Sequence, residues 1–313
     1  SLAIACLATS ISLLALFRDS GDGIYKSLKL LEELERHSSD VEFEYFFYEN
    51  DSKDKTPEIL SDWLRDREGG LLSEELNRPK FASICSRERF ELMSDYRNRL
   101  LEFSKPLSSD YTFVWDSDVV FEPNILEQYL QIEYEDWVLL APDIRQDTPC
   151  LMGGNTQDSY YDTIALRDME GIWALTFSDC PFIHQRDRDK WENKEAIEVN
   201  AAFGGLVLVR TSAIENSFWG TKGEVEHIEW QKHLKKCGKI YLMPNIETSV
   251  TLPEGTRKDC KARRGSFKNL NEIIEAQKRC LSKTHWERWM AIEKTSGTRG
   301  GTRSFWIAVS NNL

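Results

Sequence analysis

Apolar and polar positions fall into blocks along the chain, and the period changes from block to block. Residues 24–36, IYKSLKLLEELER, place apolar side chains at 24, 28, 31 and 34, the spacing of one helix face. The next block, VEFEYFFYEN at 41–50, alternates and is aromatic-rich, which predicts a strand. DSKDKTPEILSDWLRDRE then reads as a loop entering a helix, with Thr56 as N-cap and Pro57 at the first helical position. A further helix is predicted over 87–104 and strands over 2–9 and 111–120. The resulting β-α-β-α-α-β order predicts an α/β fold with a mostly parallel central sheet flanked by helices.

The second half of the chain is more mixed. WVLLAPDI (137–144), AAFGGLVLVR (201–210) and KIYLMPN (239–245) read as strands, and residues 226–237 read as a helix. From about 253 the chain turns polar and basic, then helical over 270–294. The simplest division is a catalytic domain over 1–252 and a helical C-terminal extension over 253–313, packing on or closing over the active site. The run TRKDCKARRGSFK (256–268) is basic within an acidic protein, as a loop closing over a diphosphate would be.

Charge and cysteine content narrow the class. The 313 residues carry a net charge of −12, which argues against nucleic-acid binding by the surface as a whole. Seven cysteines without CxxC spacing argue against a zinc module or a disulfide scaffold. The apolar stretch LAIACLATSISLLALF (2–17) is short for a membrane span and lacks a basic leader, so it reads as a buried first strand running into a loop. The sequon Asn50-Asp51-Ser52 falls where a glycan would obstruct a ligand loop. These features favour the cytoplasm, with the Golgi lumen the alternative if an anchor upstream of residue 1 has been removed.

The chemistry concentrates in YTFVWDSDVVFEP (111–123). Residues i and i+2 of a strand share a face, which puts Asp116 and Asp118 side by side at the carboxyl end of a parallel strand. Open α/β sheets bind ligands at that edge. Two carboxylates there can share a hard divalent cation with phosphate oxygens, which offsets the cost of holding the pair in the core. Arg97 lies between Met93 and Leu101 on the apolar face of its helix. A guanidinium there needs an anion, either a donor phosphate or a core acid.

The order of motifs resembles the GT-A class of nucleotide-sugar-dependent glycosyltransferases. YENDSKDKT (48–56) resembles their acidic loop after the second strand, and WDSD (115–118) their D-x-D motif. NAAFGGLVLVR (200–210) resembles the small-residue stretch beside the transferred sugar. EHIEWQKHLKKCGKIYLMPN (226–245) resembles the E-D helix of inverting members, with His227 in place of the Asp. YYDTIALRDMEG (160–171) is similar to a segment of the fungal capsule-associated and Golgi α-mannosyltransferases, a group expected to retain the anomeric configuration.

The resemblance implies Mn2+ or Mg2+ and a UDP- or GDP-sugar donor. It implies a glycan or glycoconjugate acceptor, with no nucleic acid and no membrane span within this chain. It assigns Asp116 and Asp118 to the metal, and Asp116 also to the donor. Thr9 and Glu49 would line the nucleoside pocket, with Arg97, Gly204 and Gly205 also on the donor. Asp162 and Glu226 would serve the sugar and the acceptor as catalytic groups. A late histidine completes the metal shell in such enzymes; His227 and His285 both qualify, with His227 preferred. His37, His184 and His233 read as surface, loop and structural residues. The alternatives are a sugar-phosphate nucleotidyltransferase, which lacks support from any early Gly-rich loop, and a non-catalytic glycan-binding protein on the same fold.

Overall fold

The computed structural model describes residues 9–81, 87–146, 160–171, 174, 180–182, 184–220 and 225–250. The chain forms two compact units. The first is Ser1–Ala141 with Gly205–Lys239, and the second is Pro142–Gly204 with Ile240–Leu313. Residues 2–8 of the predicted first strand, and the whole extension 253–313 with its basic run, its helix and His285, lie outside the described residues.

The chain opens with β1 (Thr9–Phe17), α1 (Gly23–His37), β2 (Val41–Asn50), α2 (Thr56–Leu64) and β3 (Gly69–Glu74). It continues with α3 (Arg87–Phe103), β4 (Tyr111–Asp116), β5 (Val119–Phe121) and α4 (Ile125–Leu130). Then come β6 (Trp137–Gln146), α5 (Gln185–Glu192), β7 (Ile197–Val199), β8 (Leu206–Arg210), α6 (Thr211–Ile214), α7 (Glu226–Leu234) and β9 (Lys239–Val250).

The first unit is a sheet in the order β3-β2-β1-β4-β8-β6. β3, β2, β1 and β4 are mutually parallel, while β8 runs antiparallel to both β4 and β6. Five of the six strands therefore share one direction, as the βα alternation requires. The apolar positions 24, 28, 31 and 34 of α1 are the four buried ones. Phe113, Val114, Trp115, Leu13, Leu14 and Phe47 form the buried centre of the sheet. Burial of such side chains stabilises the fold by about 1.5–3 kcal/mol each.

Several boundaries differ from the sequence reading. The first described strand runs from Thr9 to Phe17, well past the expected end at residue 9, and Thr9 pairs with Val41 at its amino end. Helix α2 begins at Thr56, with Lys55 at the cap. The strand expected over 111–120 is broken by a turn at Ser117 and Asp118. The strand expected from 201 begins only at Leu206, because Gly204 and Gly205 sit at φ of 63° and 70°. β3 escapes a propensity reading because it opens on two glycines. A Cβ at Gly69 would stand 1.9 Å from the carbonyl oxygen of Tyr45, so close pairing admits only glycine there.

In the second unit β7 pairs antiparallel with β9, from Ile197 opposite Leu242 to Val199 opposite Ile240. Arg145 bridges to Tyr160 and Arg167 to Ala201. Trp191 packs edge-on against Tyr160 and Phe182, which seats α5.

Candidate active site

The carboxyl ends of β1, β2 and β4 carry the polar residues of the first unit. Glu49 ends β2 opposite Phe17, and Asp116 ends β4 opposite Leu16. Thr9 lies at the other end of β1, about eight residues of ~3.3 Å rise away. This corrects its assignment to the nucleoside pocket, because a strand presents its first and last residues at opposite edges of the sheet.

The loop after β2 is organised by its own acids. Glu49 is buried and accepts the Ser52 N–H at 2.8 Å and the Ser73 hydroxyl at 2.6 Å. Asp51 accepts the N–H groups of Leu76, Asn77 and Arg78 and the Asn50 amide, at 2.7–3.0 Å. Burial pushes Asp51 up, but these donors outweigh it and bring it down to about 2. Asp54 accepts from the N–H of Gly21, and Asp19 from the N–H of Lys53, which ties this loop to the one after β1. The motif that resembles a ligand loop is thus a carboxylate-pinned scaffold. Asn50 is buried and its amide is engaged by Asp51.

Helix α3 delivers the cations. Arg89, Met93 and Arg97 recur at i+4 spacing along it. Arg97 is 4% exposed and its Nη2 donates to Asp116 Oδ1 at 2.8 Å. Its Nε lies 3.7 Å from Glu226 Oε1. The anions that the apolar stripe demanded are therefore the partly exposed Asp116 and the buried Glu226. Arg99 points elsewhere, to Asp95 and Glu74.

Asp118 follows β4 in the turn rather than on the strand, so the pair does not share a face by strand alternation. The two are nonetheless close enough to repel. Asp118 is accessible to solvent yet crowded by protein, and desolvation followed by the Asp116 charge raises it to about 6. Arg89 and Arg97 oppose the rise without cancelling it. Such a pair is under-neutralised and suits a divalent cation. The pair is not a buried one without compensation, because Asp116 has Arg97 and its side chain is 33% exposed.

Glu226 opens α7 and is 3% exposed. Oε1 faces Arg97, and Oε2 has no hydrogen-bond partner among the described residues. Burial raises its pKa, against the pull of Arg97. His227 is buried, and burial followed by Arg97 and Arg89 lowers its pKa, so it is neutral. The Trp219 indole N–H points at His227 Nδ1 from 3.4 Å, which leaves the ring proton on Nε2, 3.6 Å from Glu226 Oε1. That tautomer offers no free lone pair to an ion. Among the described residues, His227 also forms no three-ligand group with Asp116 and Asp118.

Asp162, Gly204 and the residues around them belong to the second unit. Asp162 Oδ2 accepts the Gly204 N–H at 2.9 Å. A Cβ at Gly204 would meet the Pro142 carbonyl oxygen at 2.9 Å, so glycine is required by both space and φ. Gly205 belongs to the first unit, where its carbonyl accepts the Asp116 N–H at 2.8 Å. His184, expected in a solvated loop, is 93% buried, as its 7% exposure shows. It faces Asp168 and Glu170, neither of which composition or motif spacing singled out. The Arg167-Asp168 pair did lie inside the quoted mannosyltransferase-like segment. His37 is exposed, and His233 packs its ring on Phe218 at 4.2 Å, as expected.

Solved structures resemble this chain in fold. GalNAc-T7, crystallised with UDP, GalNAc and Mn2+, aligns with a TM-score of 0.51 at 14% identity, over 96% of this chain and 53% of that one. The chain thus spans about half the length of GalNAc-T7. The mannosyltransferase PcManGT from Pyrobaculum calidifontis, in complex with GDP-Man and Mn2+, aligns at 11% identity and a TM-score of 0.49, over 96% and 79% of the two chains. TarS 1-349 from S. aureus, in complex with UDP-GlcNAc, aligns at 13% and 0.47, over 88% and 69%. The fold is that of the GT-A glycosyltransferases. It belongs to the family described as Cryptococcal mannosyltransferase 1, whose model matches residues 19–242. No curated protein matches the chain.

Proposed function

We propose that the protein is a metal-dependent, retaining glycosyltransferase that moves a sugar from a nucleoside diphosphate donor to a hydroxyl of a glycan acceptor. The observation that carries this reading is the under-neutralised pair Asp116 and Asp118 at the carboxyl end of β4, backed by Arg97. Asp118 is accessible and raised to about 6 by desolvation and its neighbour, the state of a carboxylate that gains from a cation. Asp118 would hold Mn2+ or Mg2+ together with Asp116. When bound, such an ion supplies a Lewis acid that neutralises charge on a leaving diphosphate. Arg97 holds Asp116 in place from the core side.

The burial of Glu226 supports retention. A general base must come within about 2.6–3.2 Å of the acceptor hydroxyl. Glu226 is 3% exposed and faces Arg97. As placed, it acts by orienting Arg97 rather than by meeting an acceptor. The named relatives support the donor class, since GalNAc-T7 was crystallised with UDP and PcManGT with GDP-Man. The family description points to mannose.

The test is donor turnover. The protein, incubated with GDP-mannose or UDP-sugars and Mn2+, should release nucleoside diphosphate, and chelator should stop it. Asp118→Ala should abolish turnover without lowering the melting temperature of the apo protein. Full activity in excess chelator would remove the metal from the mechanism. Formation of a nucleotide sugar from nucleoside triphosphate and sugar-1-phosphate would favour the nucleotidyltransferase reading instead.

A further inference from the structure

The second unit holds a cluster that the proposed function does not use. Asp168 and Glu170 lie in a turn pinned by the Asn200 amide, which donates to the carbonyls of Asp168 and Met169 at 2.8 and 3.0 Å. Asp168 Oδ1 accepts the Glu170 N–H at 3.0 Å. His184 caps the opposite side from the position before α5, but its side chain makes no capping hydrogen bond. Its ring points instead at the acids. Nε2 lies 3.7 Å from Asp168 Oδ2 and 3.8 Å from Glu170 Oε2. This nitrogen is buried and has no hydrogen-bond partner among the described residues.

We propose that Asp168, Glu170 and His184 form a binding site for a divalent first-row transition ion, Mn2+ or Zn2+. One ligand atom from each of the three lies within 4.8 Å of the other two. In a tetrahedral or octahedral shell with bonds of about 2.1 Å, neighbouring ligand atoms sit about 3.0–3.4 Å apart. The two His184 spacings, 3.7 and 3.8 Å, need to close by about 0.3–0.8 Å to reach that geometry. One imidazole with two carboxylates suits manganese or zinc over magnesium or calcium, which take oxygen alone. An ion explains why a histidine sits buried at a helix cap without capping it, and why its nitrogen meets two carboxylates at distances too long for hydrogen bonds. Arg186 now contacts both oxygens of Glu170, at 3.1 and 3.2 Å, but it is 55% exposed. Such a solvent-screened surface pair is weak, so an ion can displace it. His184 stands fourteen residues after Glu170, so the ion would join two separate parts of the chain.

This site is independent of Asp116 and Asp118, and the test separates the two. Mn2+ is titrated into the full chain carrying Asp118→Ala and followed by electron paramagnetic resonance. One bound ion should remain, with a nitrogen hyperfine coupling from a histidine. In Asp118→Ala/His184→Ala the coupling should vanish and affinity should fall at least ~10-fold. Should that variant fail to fold, Glu170→Gln, at a partly exposed position, should weaken Mn2+ at least ~10-fold while the nitrogen coupling persists. His227→Ala should leave the coupling unchanged. Absence of any bound Mn2+ in Asp118→Ala, or a coupling that survives loss of His184, would overturn the assignment.

Discussion

Arg97 donates from Nη2 to Asp116 Oδ1 at 2.8 Å, and this bond links a helix stripe to the end of the central strand. The same guanidinium lies 3.7 Å from Glu226. One cation thus holds an acid from β4 and an acid from α7 in the first unit.

Removing that cation should be costly. Arg97→Ala leaves buried Glu226 with only the weaker pull of Arg89, and breaking a buried pair from one side costs about 3–5 kcal/mol. Asp116 is one-third exposed and contributes little of this. Urea denaturation should show a loss of about 3 kcal/mol, and activity should fall even where the fold persists. A loss below ~1 kcal/mol would mean that water compensates the acids.

Asp51 should make the loop after β2 acid-sensitive. Its carboxyl is held at about 2, below the ordinary value near 3.9. A depressed acid contributes stability that is present above about 4 and is lost as pH falls toward 2. Asp51→Asn keeps the size but loses the charged acceptor for three N–H groups, at a cost of about 2 kcal/mol at pH 7. The difference from wild type should shrink as pH falls from 4 to 2 in denaturation curves.

Asp118 should show the opposite sign. Its folded pKa, about 6, is raised, so the folded apo protein binds more protons than the unfolded chain between about pH 4 and 6. Stability therefore declines as pH rises through that window. Asp118→Asn removes the decline, and the apo variant should melt above the wild type at pH 7 and level with it near pH 4. Saturating Mn2+ with a nucleoside diphosphate should reverse the order at pH 7, because only the wild type gains from the ion. Melting curves with and without chelator check both halves.

Much of this was legible in the sequence because it rests on periodicity. The stripe 24, 28, 31 and 34 is the buried face of α1, and the aromatic alternation of 41–50 is β2. The anion demanded by Arg97 followed from its place between Met93 and Leu101. Contacts across the chain were not legible. The scaffold role of Glu49 and Asp51 was hidden because their partners, at 73 and 76–78, are distant in sequence. His184 read as solvated because CPFIHQRDRD is polar, yet Asp168 and Glu170 meet it from far upstream. Thr9 was misplaced by eight residues of strand, because apolarity marks a strand without marking its ends.

Glu226 provides the sharpest test of stereochemistry. Its Oε2 lacks a hydrogen-bond partner and burial raises its pKa, features that a general base can share. If it were the base of an inverting reaction, Glu226→Gln would cut the chemical rate by roughly 10²–10⁴-fold with donor binding intact. In the retaining reaction proposed above, Glu226 only steadies Arg97. The near-isosteric amide should then lower kcat by about 10-fold or less, and KM for the donor should change with it. NMR of the first-formed product reads the outcome directly. With an α-linked donor, retention gives an α-linked product in the wild type and in Glu226→Gln alike. A β-linked product from the wild type would overturn retention and make Glu226 the base, which must then be exposed by movement of α7.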